Sequence, residues 1–166
     1  MKSWAKSGLL LLAVLAIGFF GFRALFPAPQ QVVRKRLAEL ARLASFDANE
    51  APLAKMLNSQ KLGSYFAAKV EVALDMPGRG PHTFDGRDEL VQAAAAARTQ
   101  LSSLSVQFPD IVVIVASDGQ SAEANVTVKA QIGGQRDLYI EEIKFSLEKL
   151  QGDWLIHRIE SANTLR

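Results

Sequence analysis

The sequence predicts an α+β domain in which helices cover one face of a curved antiparallel sheet, carried behind one N-terminal transmembrane helix. Three observations predict it. Apolar residues recur at helical spacing early in the chain, at Val33, Leu37, Leu40 and Ala44, and change to period two from Lys69 onward. Turn phrases, "SDGQ", "GGQ" and "QGD", punctuate the second half at hairpin intervals. Residues 1–26 hold an uncharged run, "SGLLLLAVLAIGFFGF", with Lys2 and Lys6 before it and Arg23 after it.

Taken as a helix, the run from Ser7 to Phe22 rises about 24 Å, short of a hydrocarbon core of about 30 Å. Counting residues 4–26, with Lys6 and Arg23 reaching back to the interfaces, restores a spanning length. A cleaved secretory signal shares the basic start and apolar stretch. The bulky side chains of "GFRALFPAPQQ" offer a peptidase no clean small-x-small site, which favours an uncleaved anchor in contact with membrane lipid through residues 4–26. Lys2 and Lys6 argue for the N-terminus inside and the domain in the periplasm or another extracytoplasmic space, although Arg23 and "RKR" at 34–36 blunt that signal.

The formal charge of +2 belongs to this leader. Without Lys2, Lys6 and Arg23, the 19 basic residues fall to 16, against 17 acidic ones, so the body is nearly neutral. No basic stripe with aromatic platforms remains, and no nucleic-acid partner is expected. The chain has no cysteine, which excludes disulfides, thiolate metal sites and a cysteine nucleophile.

A proline-bearing linker at 27–31 is expected to end the anchor, with the domain occupying 32–166. The first helix follows from about Val32, with Arg34, Lys35, Arg36, Glu39 and Arg42 mostly opposite its apolar stripe. A second runs from Glu50 to about Asn58, capped by Asn49, with Pro52 in its first turn. Val70, Val72 and Leu74 then alternate with Glu71, Ala73 and Asp75 in a strand that ends at "MPGRGP", where His82 sits in a loop. A third helix follows "FDGRDEL", with Asp85 as cap and an alanine run at 93–97. Val106 to Ala116 is a long strand bent at Pro109, and Ala122 to Ile132 is its return partner. In the next strand the apolar phase moves from Leu138 and Ile140 to Ile143, Phe145 and Leu147, which predicts a bulge near Glu141 and Glu142. "WLIHRIES" closes the domain. By alternation Trp154 and Ile156 point into the core, Leu155, His157 and Ile159 point outward, and Arg158 and Glu160 stand in phase with the interior.

In order and spacing, "VEVALDMPG", "FDGRDELVQAAA", "IVVIVASDGQSAEANVTVKAQI" and "GDWLIHRIES" resemble the nuclear transport factor 2-like superfamily, also called SnoaL-like or cystatin-like. The last of these is similar to that family's G-x-W-x-I closing strand. The resemblance covers most of Val32 to Ser161 and implies a cone, a strongly curved antiparallel sheet wrapped around helices and open at one end into an apolar pocket.

The resemblance also frames the candidate chemistry. Enzymes of the superfamily, among them ketosteroid isomerase and polyketide cyclases of the SnoaL type, move protons with groups inside the cone. Asp75 is similar in placement to the isomerase's general base, and an apolar pocket would raise its pKa toward a useful value. An aspartate before a tight turn also commonly just bonds backbone N–H groups. Tyr139, Glu141, Arg158 and Glu160 are further pocket candidates. The isomerase's oxyanion tyrosine has no counterpart in the first helix, and the two histidines, His82 and His157, lack metal-ligand spacing, so neither metal nor cofactor is expected. No phosphate loop or G-x-S-x-G elbow is present.

The expectation is a membrane-anchored binding or envelope-assembly module, taking a small apolar ligand or an envelope protein partner. The same fold stands behind one transmembrane helix in a type IV secretion component and in Mce-associated membrane proteins, an analogy of fold. A homodimer through the outer sheet face, with Leu155 and Ile159 as its apolar content, is a further expectation. The alternative is a small-molecule isomerase, hydrolase or cyclase with Asp75 as base. A cone filled by Phe66, Phe84, Phe108 or Phe145 would favour the binding module.

Overall fold

A computed structural model describes residues 28–76, 80–133 and 136–162, with backbone alone at 75, 76 and 80–82. Helices α1 (Pro29–Ala44), α2 (Pro52–Gly63) and α3 (Arg87–Gln100) accompany strands β1 (Phe66–Met76), β2 (Gly80–Asp85), β3 (Leu104–Val115), β4 (Ser121–Ile132), β5 (Leu138–Leu150) and β6 (Asp153–Ser161). The strands make one six-stranded sheet in the order β2-β1-β6-β5-β4-β3. Every neighbouring pair is antiparallel except β1 and β6, which run parallel. Among the described residues no helix is long and apolar enough to cross a membrane; the expected anchor lies outside them.

α1 buries Val33, Leu37, Leu40, Ala41 and Leu43 along one stripe. It begins at Pro29, inside the expected linker, because proline at the first helical positions gives up an N–H that has no partner there anyway. α2 likewise opens on Pro52, and the expected Asn49 cap is not formed. Instead the neighbouring Glu50 carboxylate accepts from Asn58 Nδ2 at 2.6 Å and from Arg98. α2 continues past Asn58 to Gly63, where an added Cβ would stand 2.7 Å from Val91 Cγ2. Glycine there lets α2 lie close on α3.

At the start of α3 the cap is Gly86, at φ +100°, and not Asp85. The Asp85 backbone N–H donates to Glu89 Oε2 at 2.9 Å, so a carboxylate in the first turn serves the helix start from the inside. Gly80–Asp85, expected as loop, pairs with β1 from Met76↔Gly80 to Glu71↔Asp85. β2 is an edge strand, and an edge tolerates the missing N–H of Pro81.

Pro109 does break the long strand: the β3–β4 register shifts between Gln107 and Asp110. The bulge expected near Glu141 and Glu142 is absent, because β4 and β5 stay in continuous register from Ser121↔Glu148 to Gln131↔Leu138. Leu138 and Ile140 therefore sit on the outer face, exposed, while Tyr139 and Glu141 keep the phase of Ile143. The extra residue sits in β6. Leu147 pairs with Ile156 and Ser146 with Arg158, leaving His157 unmatched. The β5–β6 turn needs positive φ at both Gln151 and Gly152 (51° and 95°), the geometry of a two-residue hairpin loop with a matching twist.

The helices cover one face of the sheet, and between them lies a single core. It joins the α1 stripe to Val70, Val72, Val126, Ile143, Phe145, Leu147, Trp154, Ile156 and Ile159. Burying each such aliphatic or aromatic side chain is worth about 1.5–3 kcal/mol, which holds the helices to a sheet that would otherwise be wet on both sides.

Candidate functional site

The unmatched His157 decides which residues can form a site. Before it, Trp154 and Ile156 are buried; after it the phase changes, so Ile159 is buried as well and Arg158 is exposed. Ile159 therefore faces the core and not outward, and Arg158 and Glu160 face outward and not toward the interior. The four pocket candidates divide between the two faces of the sheet.

On the inner face Tyr139 pairs with Ala130 and Glu141 with Val128, in phase with Ile143, Phe145 and Leu147. Tyr139 is exposed and Glu141 half-buried. Ser161, which no motif singles out, donates its hydroxyl proton to Glu141 Oε1. This pair is a polar group on the inner face, able to hold a small polar atom or pass a proton. Deeper in, Phe66 and Phe145 are buried, Phe84 and Phe108 pack against the core, and the Phe108 and Phe145 rings stand 6.0 Å apart. Phe66 and Phe145 belong to the core that the helices cover.

On the outer face the charged side chains form a row across four strands. Arg158 Nη1 lies 3.0 Å from Glu71 Oε2, and Arg158 Nε 3.0 Å from Glu160 Oε2. Lys144 Nζ then spans Glu160 at 3.9 Å and Glu123 at 3.0 Å. The hydrogen bond and charge of Glu160, with help from Glu71, hold the Arg158 guanidinium above its usual value against slight desolvation, so it stays a cation. His157 lines two shallow hollows beside this row, one of about 470 Å³ with Lys69, Glu71 and Asp85, the other of about 370 Å³ with Ile114, Glu123 and Ser146. Ile114 is exposed at the second of them and Val112 two residues before it, and Leu138 and Ile140 are exposed at the start of β5. The exposed apolar content of this face comes from these four and from Leu150 at the end of β5, and not from Ile159; Leu155 is half-buried.

The backbone of Asp75 pairs with Pro81 in the β1–β2 ladder, and its side chain lies outside the described residues, as does that of His82. Among the described residues no three His, Asp or Glu side chains come together as metal ligands.

No protein-family model matches the chain, and no curated protein does. Solved structures do. A nuclear transport factor 2-like protein of unknown function from Pseudomonas putida superposes with a TM-score of 0.60 at 9% identity, over 80% of this chain and 84% of that one. The domain has the nuclear transport factor 2-like fold, also called cystatin-like. A cystatin-like-fold protein of unknown function from Nostoc punctiforme gives 0.57 at 13% identity, over 81% of this chain and 92% of the other. A candidate scytalone dehydratase from Novosphingobium aromaticivorans gives 0.57 at 16%, over 79% and 80%. At these identities the nuclear transport factor 2-like fold is what the likeness establishes, since one fold hosts many activities.

Proposed function

We propose that this chain is a membrane-anchored binding or envelope-assembly module. Its nuclear transport factor 2-like domain holds a partner through its surface and does not transform a substrate in its interior. The observation that carries this reading is the division of the two faces: Phe66 and Phe145 are buried in the core with Phe108 packed against it, while the outer face presents exposed Val112 and Ile114, Ile114 opposite Glu123 of the charged row, and exposed Leu138 and Ile140 further along β5. Exposed apolar side chains grouped beside polar ones mark interaction surfaces more than they mark a solvated face. A second copy or another envelope protein fits this chemistry. The tether is read from the 16 uncharged residues at 7–22.

Alkaline carbonate extraction of membranes from cells making the full chain tests the tether. Retention in the pellet supports it, and release with the leader intact removes it.

One observation supports a second reading, a small-molecule isomerase, hydrolase or cyclase. Ser161 and Glu141 form a polar pair on the inner face, and the domain is similar to a candidate scytalone dehydratase. On that reading Asp75 would be the base, and Asp75→Asn would abolish turnover while leaving the fold intact.

A further inference from the structure

α2 is built inside out for a helix in water. Its buried face is Ser59, Leu62 and Gly63, and its exposed face carries Leu53, Met56 and Leu57, which are 63%, 51% and 51% exposed. The small buried residues serve packing: Ser59 satisfies its own hydroxyl on Lys55 O at 2.8 Å, and Gly63 admits Val91. Nothing in that packing requires large apolar side chains on the other side, at the i, i+3 and i+4 positions that make one stripe.

The helix that carries the stripe and its neighbour are both rich in basic residues. α1 and α2 adjoin, Arg36 Nη2 donating to Ser64 O at 2.9 Å just past the end of α2. Together the two helices hold six basic side chains, Arg34, Lys35, Arg36, Arg42, Lys55 and Lys61, against one acidic, Glu39. Setting aside Lys2, Lys6 and Arg23, ten basic residues stand against sixteen acidic ones in the rest of the chain. With Asp47 and Glu50, which lie between the two helices, counted as well, residues 29–63 hold six basic side chains against three acidic and the remaining ten basic stand against fourteen acidic, so this segment is the basic part of the domain. Chain length keeps that segment near the bilayer: residues 23–28 between the apolar run and Pro29 span at most about 20 Å.

We infer that the exposed face of α2 docks on an anionic lipid surface, with Leu53, Met56 and Leu57 inserted among the acyl chains and the basic residues of α1 and α2 at the headgroups. This inference rests on the anchor reading above. Its occupant is lipid because an acidic bilayer surface supplies both what the stripe needs and what the charges need.

The absence of cysteine makes the test direct, since each introduced cysteine is unique in the chain. Nitroxide labels on Leu57→Cys, Ile114→Cys and Leu12→Cys of the full chain are read in vesicles of phosphatidylcholine with and without phosphatidylglycerol. Accessibility to oxygen, which favours lipid, is compared with accessibility to an aqueous nickel chelate. The label at 57 is expected to favour oxygen in phosphatidylglycerol vesicles and to return to the chelate when Arg34, Lys35 and Arg42 are replaced by Gln. The label at 114, on the other side of the domain's sheet, is expected to favour oxygen in neither kind of vesicle. A label at 57 that favours the chelate while the one at 12 favours oxygen overturns the docking and leaves the anchor standing. Shielding of 57 from both reagents places protein on the stripe and also overturns the docking. A label at 12 that favours the chelate overturns the anchor and the docking with it.

Discussion

Arg98 Nη1 donates to both carboxylate oxygens of Glu50, at 2.7 and 2.6 Å, from a position where the arginine is only 2% exposed. Its other terminal nitrogen donates to Leu43 O, and its guanidinium carbon lies 5.0 Å from the centre of the Phe46 ring. One side chain from the last turn of α3 thus closes the end of α1 and the approach to α2. Removing it leaves the Leu43 carbonyl without this donor and the Glu50 carboxylate with Asn58 in place of a charge partner. Arg98→Met is expected to cost about 3–5 kcal/mol, read by urea unfolding in detergent. Arg87→Met, on an exposed side chain of the same helix, should cost no more than about 0.5 kcal/mol. Equal, small effects would show that the buried pair carries no structural weight.

The same pair gives a pH dependence. Burial pushes the Glu50 carboxyl up, but the hydrogen bonds from Asn58 and Arg98 and the Arg98 charge outweigh it and hold it below its ordinary value of 4.5. A carboxyl depressed by folding contributes stability above its unfolded value, and that contribution is lost as pH falls through the lower folded value. The stability gap between wild type and Glu50→Gln should therefore be full at neutral pH and shrink below about pH 4.5. A gap that stays constant into that acid range would contradict the assignment.

The phase change at His157 predicts a contrast between two neighbours. Ile159 is 8% exposed in the core and Leu155 is half-buried on the outer face. Ile159→Ala should cost about 2–5 kcal/mol and Leu155→Ala less than about 1 kcal/mol. The reverse order in urea midpoints would restore uninterrupted alternation along β6.

Phe145 is 4% exposed in the core, its ring 6.0 Å from that of Phe108. Phe145→Ala is expected to cost about 3–5 kcal/mol, because the space it leaves cannot close. A loss under about 1 kcal/mol would mean that the cone is already hollow there.

Much of the architecture was legible in the residues because patterns of apolar spacing act locally. The α1 stripe, the alternation of β4, the bend at Pro109 and the closing phrase around Trp154 all have one reading. What failed depended on partners far along the chain. A change of phase between Leu138 and Ile143 cannot exist in a sheet where β4 holds the register, so the exposed pair Leu138 and Ile140 imitates a bulge. The real bulge at His157 is invisible in sequence, since "WLIHRI" alternates well enough until β5 sets the pairing.

The same limit governs the site. Ser161 meets Glu141 only because β6 folds back beside β5, and no spacing announces a pair 20 residues apart. Arg98 reads as an exposed arginine at the end of a helix, a place where such residues usually meet the dipole and water. The inverted character of α2 comes from the burial of Ser59 and Gly63, which fixes the side that faces in.

Copurification from detergent-solubilised membranes tests the central claim most directly, with wild type, Ile114→Glu and Asp75→Asn compared. The account predicts a defined partner, a second copy or another envelope protein, that accompanies wild type and Asp75→Asn and is lost from Ile114→Glu. Recovery of the full chain from the soluble fraction, alone and with residues 1–28 intact, would contradict it.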